Sequence, residues 1–342
     1  MLNLVYILVS MYVKLNCFVT ITTQEGKTIK FDAANNVEVN KSIDRIESIA
    51  KIKIPTSARL QFEGTYLTES VQTEKVFKRG DKINIQLGYD DRLQEEFDGF
   101  VYKLNLATPL EIECEGHEYL LRDDLPTKTF ATTNLREVLQ YIIDGKDIKL
   151  DGDIPTVNMV NYVIPAKLTR LEALQQVKER YGLTIFFNKN ILYAGLDFVK
   201  YKGNVVYSLG VNTPKVDELR FQYAEDVKLK VKAIQINKDN TKYEAEIGDK
   251  NGEQRTLYFF TAKGIEDLKK LAETEINKYK YTGYTGKITA FLEPYAAPGM
   301  VADIRDIKYE ERGGKYEIRS VVVTFGTSGA RRQVEIGKTV SE

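Results

Sequence analysis

The sequence predicts a mainly β protein that carries a small α+β insert. Tyrosine is abundant, with 21 residues, and β-branched residues recur, which favours strands over helices. Short runs of alternating polar and apolar residues, separated by polar turns, fill the first and last thirds of the chain. Helical periodicity is concentrated in the middle third. Closely spaced strands of this kind predict antiparallel sheets that close or nearly close.

Length and charge narrow the class of protein. The 342 residues allow two or three domains with cores of their own. Lysine plus arginine and aspartate plus glutamate both number 49, so no overall positive charge favours nucleic acid or acidic membranes. With only Cys17 and Cys114, no disulfide framework is expected. We predict two buried thiols in a reducing compartment, with a bridge between them as the alternative.

The N-terminal segment Met1–Val13 is apolar, which raises the question of a signal peptide. The first lysine, Lys14, follows this run, and no small-x-small cleavage site comes after it. We therefore predict a buried strand here. No other stretch approaches the roughly 18 apolar residues that a membrane span needs.

Strands account for the first third. The segment Lys82–Leu87 alternates, which places Ile83, Ile85 and Leu87 on one buried face. A turn at Asp90-Asp91 separates it from a second alternating run, in which we expect the inward residues to be Tyr102, Leu104 and Leu106. A short strand over Leu110–Cys114 follows.

The middle third predicts two helices and a hairpin. A capping box at Asn134–Glu137 starts an apolar stripe that ends at Gly145. A second box at Thr169–Glu172 starts a helix that ends at Gly182. The run Leu183–Leu196, which turns at its asparagines, is typical of a hairpin.

The last third returns to strands. Val227 to Ala233 alternate with lysines, and the phase slips at Ile234 and Ile236, which predicts a bulge. One amphipathic helix is predicted at about 264–280, and the boundary with the insert is placed near residue 200.

Two segments of the chain match in pattern. Arg79–Ile85 aligns with Pro298–Ile304 at an offset of 219, which also places Phe97 on Tyr316. The same offset aligns three alternating residues with three others: Tyr102 with Val321, Leu104 with Val323, and Leu106 with Phe325. We interpret this as a weak internal repeat, with chance agreement between alternating strands as the alternative.

The segment Val76–Asp90, followed by Phe97–Val101, resembles the first barrel of phage tail baseplate hub proteins. That family includes the late control proteins of Mu-like and P2-like phages and the hub portion of type VI secretion spikes. Further segments are similar to its opening strands, its inserted domain and its second barrel, in that order: Val37–Ile46 and Ile52–Pro55; Ile164–Ala166, Leu171–Leu174 and Tyr181–Phe187; Ala297–Val301 and Gly314–Val323.

The resemblance implies two tube-like antiparallel β-barrels and a small α+β domain in each chain, and a homotrimer. The expected domains are a first tube-like β-barrel over 1–116, an α+β insert over 117–200, and a second β-barrel domain with one external helix over 201–342. The implied function is that of a structural baseplate hub, a trimeric adaptor between the sixfold tail tube and a threefold central spike.

The same resemblance implies a place and partners. The expected place is the virion tail baseplate, or a tail-like particle, assembled in the bacterial host cytoplasm. Expected partners are the tail tube or distal tail protein, the spike, other baseplate proteins, and the tape-measure protein or DNA passing through the channel, without membrane anchoring. The sequence ends shortly after its last predicted strand, so we expect any spike or cell-wall hydrolase to be a separate chain.

Metal and nucleophile chemistry find little support in the sequence. His117, the only histidine, forms a Cys-x-x-His pair with Cys114, and Cys17 would be a third ligand where structural zinc takes four. No nucleophile-elbow sequence is present. Gly337–Thr339 imitates the end of a phosphate loop, but the required earlier position is Arg332 instead of glycine. We therefore predict no catalytic, cofactor-binding or metal-binding residues and no cofactor.

Paired carboxylates are the remaining candidates for catalysis. We expect four adjacent pairs to lie in turns and be solvated: Asp90-Asp91, Glu95-Glu96, Asp123-Asp124 and Glu310-Glu311. Gly326–Arg332 is interpreted as a turn between terminal strands, with anion contact as the alternative. Two other functions stay open, a cell-wall hydrolase on a β scaffold and a carbohydrate-binding receptor-recognition protein. Two carboxylates facing each other across a cleft would indicate the hydrolase.

Overall fold

The computed structural model describes residues 14–32, 34–58, 61–62, 65–66, 71–195, 203–237, 241–260 and 262–340. The strand predicted in Met1–Val13 and the boundary predicted near residue 200 lie outside these ranges. The predicted fold class, mainly β with an α+β insert, is confirmed. Closure of the sheets into two separate barrels stays a prediction.

The described elements follow in chain order. Before the insert come β1 (Leu15–Thr22), β2 (Thr28–Phe31), β3 (Asn36–Ser42), β4 (Ile49–Ile54), β5 (Ser57–Ala58), β6 (Gln61–Phe62), β7 (Thr65–Tyr66), β8 (Val71–Gln72), β9 (Lys82–Tyr89), β10 (Arg92–Asn105) and β11 (Leu110–Glu115). The next elements are β12 (Asp124–Leu125), β13 (Lys128–Asn134), α1 (Leu135–Ile143), β14 (Lys149–Leu150), β15 (Asn158–Ile164), β16 (Leu168–Thr169), α2 (Arg170–Tyr181), β17 (Thr184–Asn188) and β18 (Ile191–Gly195). The last are β19 (Asn204–Ser208), β20 (Leu219–Gln222), β21 (Leu229–Ile236), β22 (Lys242–Gly248), β23 (Glu253–Phe259), α3 (Ile265–Tyr279), β24 (Gly283–Ala290), β25 (Val301–Arg305), β26 (Gly314–Gly326) and β27 (Gly329–Thr339).

One large sheet contains strands from both ends of the chain. Its hydrogen-bonded order is β20-β24-β27-β26-β3-β4-β11-β10-β9-β1-β2-β6-β7, and β19 joins through β25 to β26. We call β3-β4-β11-β10-β9-β1 the first sheet unit and β20-β24-β27-β26-β25-β19 the second sheet unit. A single hydrophobic core runs through both units.

Alternation predicts the inward faces correctly where the strands are regular. Ile83, Ile85 and Leu87 are fully buried on β9. On β10 the prediction holds for Leu104, which packs against the core, and is wrong for Tyr102 and Leu106, because two register shifts change the phase of the strand. Val101 is fully buried, whereas Leu106 is 73% exposed and Tyr102 lies under the guanidinium of Arg122.

The insert forms as its capping residues predict. The side chain of Asn134 accepts a hydrogen bond from the Glu137 amide at the start of α1. Thr169 and Glu172 form the full capping box at the start of α2, which ends at Gly182 in the left-handed conformation. The two helices and the β17–β18 hairpin share a second hydrophobic core.

The predicted bulge at Ile234 is wrong, since β21 pairs with β22 in unbroken register. The strand is the middle one of a three-stranded sheet with β22 and β23, and both of its faces are covered. Val231 packs with α3 in a third core, and Ile234 and Ile236 pack with the insert. The helix predicted at about 264–280 therefore packs against a separate sheet, which β21, β22 and β23 form. None of the described helices is long and apolar enough to cross a membrane.

Candidate functional site

The two sheet units repeat one arrangement. In the first unit, the amide of Gly80 donates to the carbonyl of Val101, whose own amide donates to the carbonyl of Asp81. In the second unit, Gly299 and Ile318 form the same pair of bonds, with Met300 in the place of Asp81. Both glycines have positive φ, +91° and +82°, as a glycine β-bulge requires.

The long strands also bulge at the same place. Tyr102 is the extra residue where β10 pairs with β11, and Arg319 is the extra residue where β26 pairs with β27. The predicted repeat is therefore present, but its offset is correct only at the glycines. Along the long strands the alignment shifts by two residues, which places Val101 on Ile318 and Leu104 on Val321.

The sheet units meet where β26 pairs with β3. Strand β25 covers the first half of β26, and β3 pairs with the second half on that side. Val323 lies opposite Val39, and Val321 lies opposite Lys41. Both β26 valines and Val39 are fully buried. The junction is thus a continuation of the sheet with an apolar inner face.

A buried ion pair crosses this junction. The Arg332 guanidinium donates to both carboxylate oxygens of Glu96, at 2.6 and 3.1 Å, and both side chains are 0% exposed. Arg332 also donates to the carbonyls of Leu292 and Ala296. All three guanidinium nitrogens of Arg332 thus donate hydrogen bonds. A buried charge pair is tolerated when its polar atoms are satisfied in this way.

Aromatic and cationic groups surround the ion pair. The Tyr295 ring stacks against Arg332, with the guanidinium carbon 5.0 Å from the ring centre, and Lys41 approaches the same ring at 5.8 Å. Burial lowers the pKa of Lys41, and the nearby Glu96 carboxylate opposes that shift. The junction therefore balances two cations against the carboxylates on β10.

The insert contacts the same region. At the β17–β18 turn, Nζ of Lys189 lies 2.6 Å from Oε1 of Glu95, the neighbour of the buried Glu96. Phe186 and Tyr193 of this hairpin pack with Ile43, which follows β3. The junction is therefore the place where both sheet units and the insert meet.

A small cavity of about 60 Å³ lies at this meeting point and is lined by Glu95, Glu96, Asp98, His117 and Glu118, among others. His117 begins a short 3-10 helix two residues after β11, close to the strand end where it was predicted, and its Nε2 is 2.8 Å from Oδ2 of Asp98. Burial alone would raise the pKa of Asp98, but the His117 hydrogen bond and the charge of Lys82 hold it below its ordinary value. Drug-sized pockets are roughly 300–1,000 Å³, so the cavity is too small to admit a polysaccharide.

Glu118 is the most perturbed carboxyl of the cavity. One oxygen accepts from the amides of Ser48 and Gly116, while the other, like Nδ1 of His117, has no hydrogen-bond partner among the described residues. Burial raises the pKa of Glu118 to about 8, so the group is largely neutral at pH 7. The carboxylates of Glu95, Glu96 and Asp98 have lysine, arginine and histidine partners, respectively.

The cysteines are free and buried, as predicted. Burial raises the pKa of Cys17 to about 12 and raises that of Cys114 further, so both thiols stay protonated at neutral pH. Within the described ranges, no three His, Cys, Asp or Glu side chains are grouped to hold a metal ion.

The remaining sequence candidates are dispersed. The pairs Asp90-Asp91 and Glu310-Glu311 lie in a turn and a short 3-10 helix. Asp123 lies in a bend, but Asp124 begins strand β12, and Glu95-Glu96 lies inside β10, which corrects the prediction for these residues. Gly337–Thr339 ends strand β27. The predicted turn is present at Gly326–Gly329, but Arg332 of the supposed basic loop is a buried strand residue.

Comparison with solved structures shows that this chain has the fold of phage tail proteins. A tail protein from Neisseria meningitidis MC58 matches at 10% identity and TM-score 0.61, covering 94% of this chain and 96% of that one. The 43 kDa tail protein of prophage MuSo2 from Shewanella oneidensis matches at 12% identity and TM-score 0.59, covering 95% and 98%. An E. coli component of the type VI secretion system matches at 9% identity and TM-score 0.54, covering 95% and 77%.

No family model and no curated protein matches the sequence. The likeness is therefore one of fold, and at that level the predicted resemblance to the tail hub family is confirmed. The buried Glu96–Arg332 pair was missed by sequence reasoning. Its only signal was an arginine in the inward phase of an alternating strand.

Proposed function

We propose that this chain is the structural baseplate hub of a phage tail or tail-like particle, a trimeric adaptor between a sixfold tail tube and a threefold spike. The observation that carries the proposal is an arrangement of five antiparallel strands with the same glycine bulge in both halves of the chain, β3-β4-β11-β10-β9 and β20-β24-β27-β26-β25. The sixth strands differ in direction, since β1 is antiparallel to β9 and β19 is parallel to β25. Three chains then present six similar units to the tube and three true repeats to the spike.

The fold supports the tail as the place of action, since proteins described as phage tail and type VI secretion components share it over nearly the whole chain. The partners we propose are the tube or distal tail protein, a spike and other baseplate proteins. Tape-measure protein or DNA would pass through the channel. These contacts are shape-driven, and the balanced charge of the chain suits a channel that must not grip its cargo.

We propose no catalytic turnover. The carboxylates of the cavity that Glu95, Asp98 and Glu118 line are paired, hydrogen-bonded or neutral, and that cavity is small. The hydrolase alternative requires two carboxylates free to act across a cleft.

Mass measurement of the purified chain tests the proposal. Light scattering behind a sizing column, or native mass spectrometry, should report three times the 39.1 kDa of one chain. A stable dimer, or a monomer at tens of micromolar both alone and with its tube partner, would overturn the trimeric hub.

A further inference from the structure

Two of the open strand edges in the sheet are related by the internal repeat. Among the described residues, strand β20 pairs with β24 alone. The end of β10, Lys103–Asn105, pairs with β11 on one side, while β9 reaches only as far as Phe100 on the other. These two edges are seven strands apart in the sheet order.

The repeat relates both edges to the junction inside the chain. A row across the first unit runs through paired residues Val39, Ala50, Cys114 and Val101. The corresponding row of the second unit runs through Leu219, Gly286, Ile336 and Ile318. Strand β20 therefore holds the place of β3, and the end of β10 holds the place of the second half of β26.

The repeat thus predicts a second contact of the same kind as the β26–β3 pairing, between β20 and the end of β10. A single chain does not form this contact. Because β3 of the first unit pairs with β26 of the second, the equivalent contact joins β20 of the second unit to β10 of another first unit. We propose that β20 pairs with the end of β10 in the next copy of this chain. This contact is a second, intermolecular junction of the same type.

The register of the proposed junction follows from the internal one. Val39 lies opposite Val323 inside the chain, so Leu219 should lie opposite Leu106 of the next copy. Lys41 lies opposite Val321, so Phe221 should lie opposite Leu104. Both predicted pairs are apolar, as cross-strand pairs at a buried junction should be.

Residues of the internal β26–β3 junction are more buried than the corresponding residues of β20 and β10. Val323 is fully buried under β3, whereas its counterpart Leu106 is 73% exposed. Leu219 and Phe221 are only partly buried, although Val39 at the corresponding place is fully buried. The neighbouring Tyr223 is 51% exposed. An apolar edge of this kind is normally covered in a stable protein.

Charge on the outer face also matches. Arg220 alternates with Leu219 and Phe221, so in this register it lies opposite Asn105 of the next copy. The Asn105 amide already bonds to Glu111 and Glu113, which places two carboxylates beside the incoming arginine. Complementary charge of this kind fixes the register of a contact.

This inference rests on the proposed trimeric hub, because a head-to-tail contact needs a ring that closes. Disulfide trapping tests it. In the variant Leu106→Cys/Leu219→Cys, a mild oxidant should convert the 39.1 kDa chain into covalent species of two and three chains that dithiothreitol reverses. The native thiols Cys17 and Cys114 are buried and do not interfere.

The matched control is Leu106→Cys/Arg220→Cys, in which the second cysteine is one residue away and points to the opposite face. It should give no covalent ladder. A second variant, Leu219→Asp, should lower the trimer fraction at low micromolar concentration, while Val163→Asp, at an exposed residue of the insert, should leave it unchanged.

The outcomes separate the junction from the hub. A trimer by light scattering that neither cross-links in register nor weakens with Leu219→Asp overturns the junction and leaves the hub standing. Cross-linking into a closed species of another size supports the junction and overturns the trimeric hub. A monomer without cross-links, or a disulfide that forms inside one chain without a mass increase, overturns the junction.

Discussion

Glu96 on β10 and Arg332 on β27 form a two-contact ion pair with no solvent exposure, although 236 positions separate them in the chain. The pair connects the two sheet units across the core that they share. Its effect on stability depends on whether one partner or both partners are replaced. A complete buried pair is worth little compared with an apolar replacement, but a half-removed pair leaves a charge in the core.

Arg332→Met should therefore lower the free energy of unfolding by about 3–5 kcal/mol, because Glu96 would stay buried without its partner. The double variant Glu96→Leu/Arg332→Met should recover most of that loss. Urea unfolding followed by circular dichroism measures both. The control is Glu95→Gln, whose partly exposed pair with Lys189 should contribute only about 0–1 kcal/mol. Equal losses for Glu95→Gln and Arg332→Met would contradict the assignment.

Glu118 predicts an unusual pH dependence. Its pKa is raised by burial from 4.5 to about 8, so between these values the unfolded chain has released a proton that the folded chain retains. The contribution of Glu118 to stability is therefore fully present below the unfolded pKa and is lost as pH rises toward the folded pKa. Because glutamine resembles the neutral carboxyl, the variant Glu118→Gln should not show this loss of stability as pH rises.

The measurement is the free energy of unfolding at pH 5 and pH 8 for both proteins. The gain from Glu118→Gln should be larger at pH 8, with each unit of pKa difference worth about 1.4 kcal/mol. Glu74→Gln, at an exposed position, serves as the control for general charge effects. A gain that is the same at both pH values would show that Glu118 does not titrate as proposed.

Much of this fold could be predicted from local sequence. Alternation gave the buried face of β9, and capping residues gave the start of α2, because both signals depend on neighbours in the chain. The phase of β10 could not be predicted, since its bulges are set by pairing with β9 and β11. The Glu96–Arg332 pair could not be predicted either, because nothing near either residue indicates the other.

The two bulge glycines should both be costly to replace. Gly80→Ala and Gly299→Ala should each destabilise the protein by about 1–2 kcal/mol, because alanine disfavours positive φ. At Gly80 the added Cβ also has to displace the Gln24 side chain, whose Nε2 would be 3.0 Å away. Gly152→Ala should cost little, as an added Cβ there meets no described atom within 4 Å. Thermal or urea unfolding of the three variants checks this. If only one bulge glycine is sensitive, the two bulges are not equivalent.

Absence of catalysis is tested by zymography on purified peptidoglycan, where we expect no cleavage. The control must spare the buried ion pair, so Glu95→Gln is preferable to any change at Glu96. Cleavage by the wild-type chain that disappears in Glu95→Gln would overturn the structural interpretation. Cleavage that persists in the variant would point to a contaminant or to carboxylates elsewhere in the chain.

The repeat makes a last prediction about the assembled particle. If three chains supply six similar units to a sixfold tube, the two units of one chain must be related by close to a sixth of a turn about the trimer axis. The internal β26–β3 junction and its proposed intermolecular counterpart would then alternate around the ring. An electron cryomicroscopy structure of the trimer should superimpose β9–β10–β11 on β25–β26–β27, with Gly80 on Gly299, under that rotation. We expect the insert and α3 to lie outside the ring, because both pack against β21, which belongs to a separate sheet. A rotation far from a sixth of a turn, or units that face away from the axis, would refute the symmetry adaptor while leaving the tail-protein fold in place.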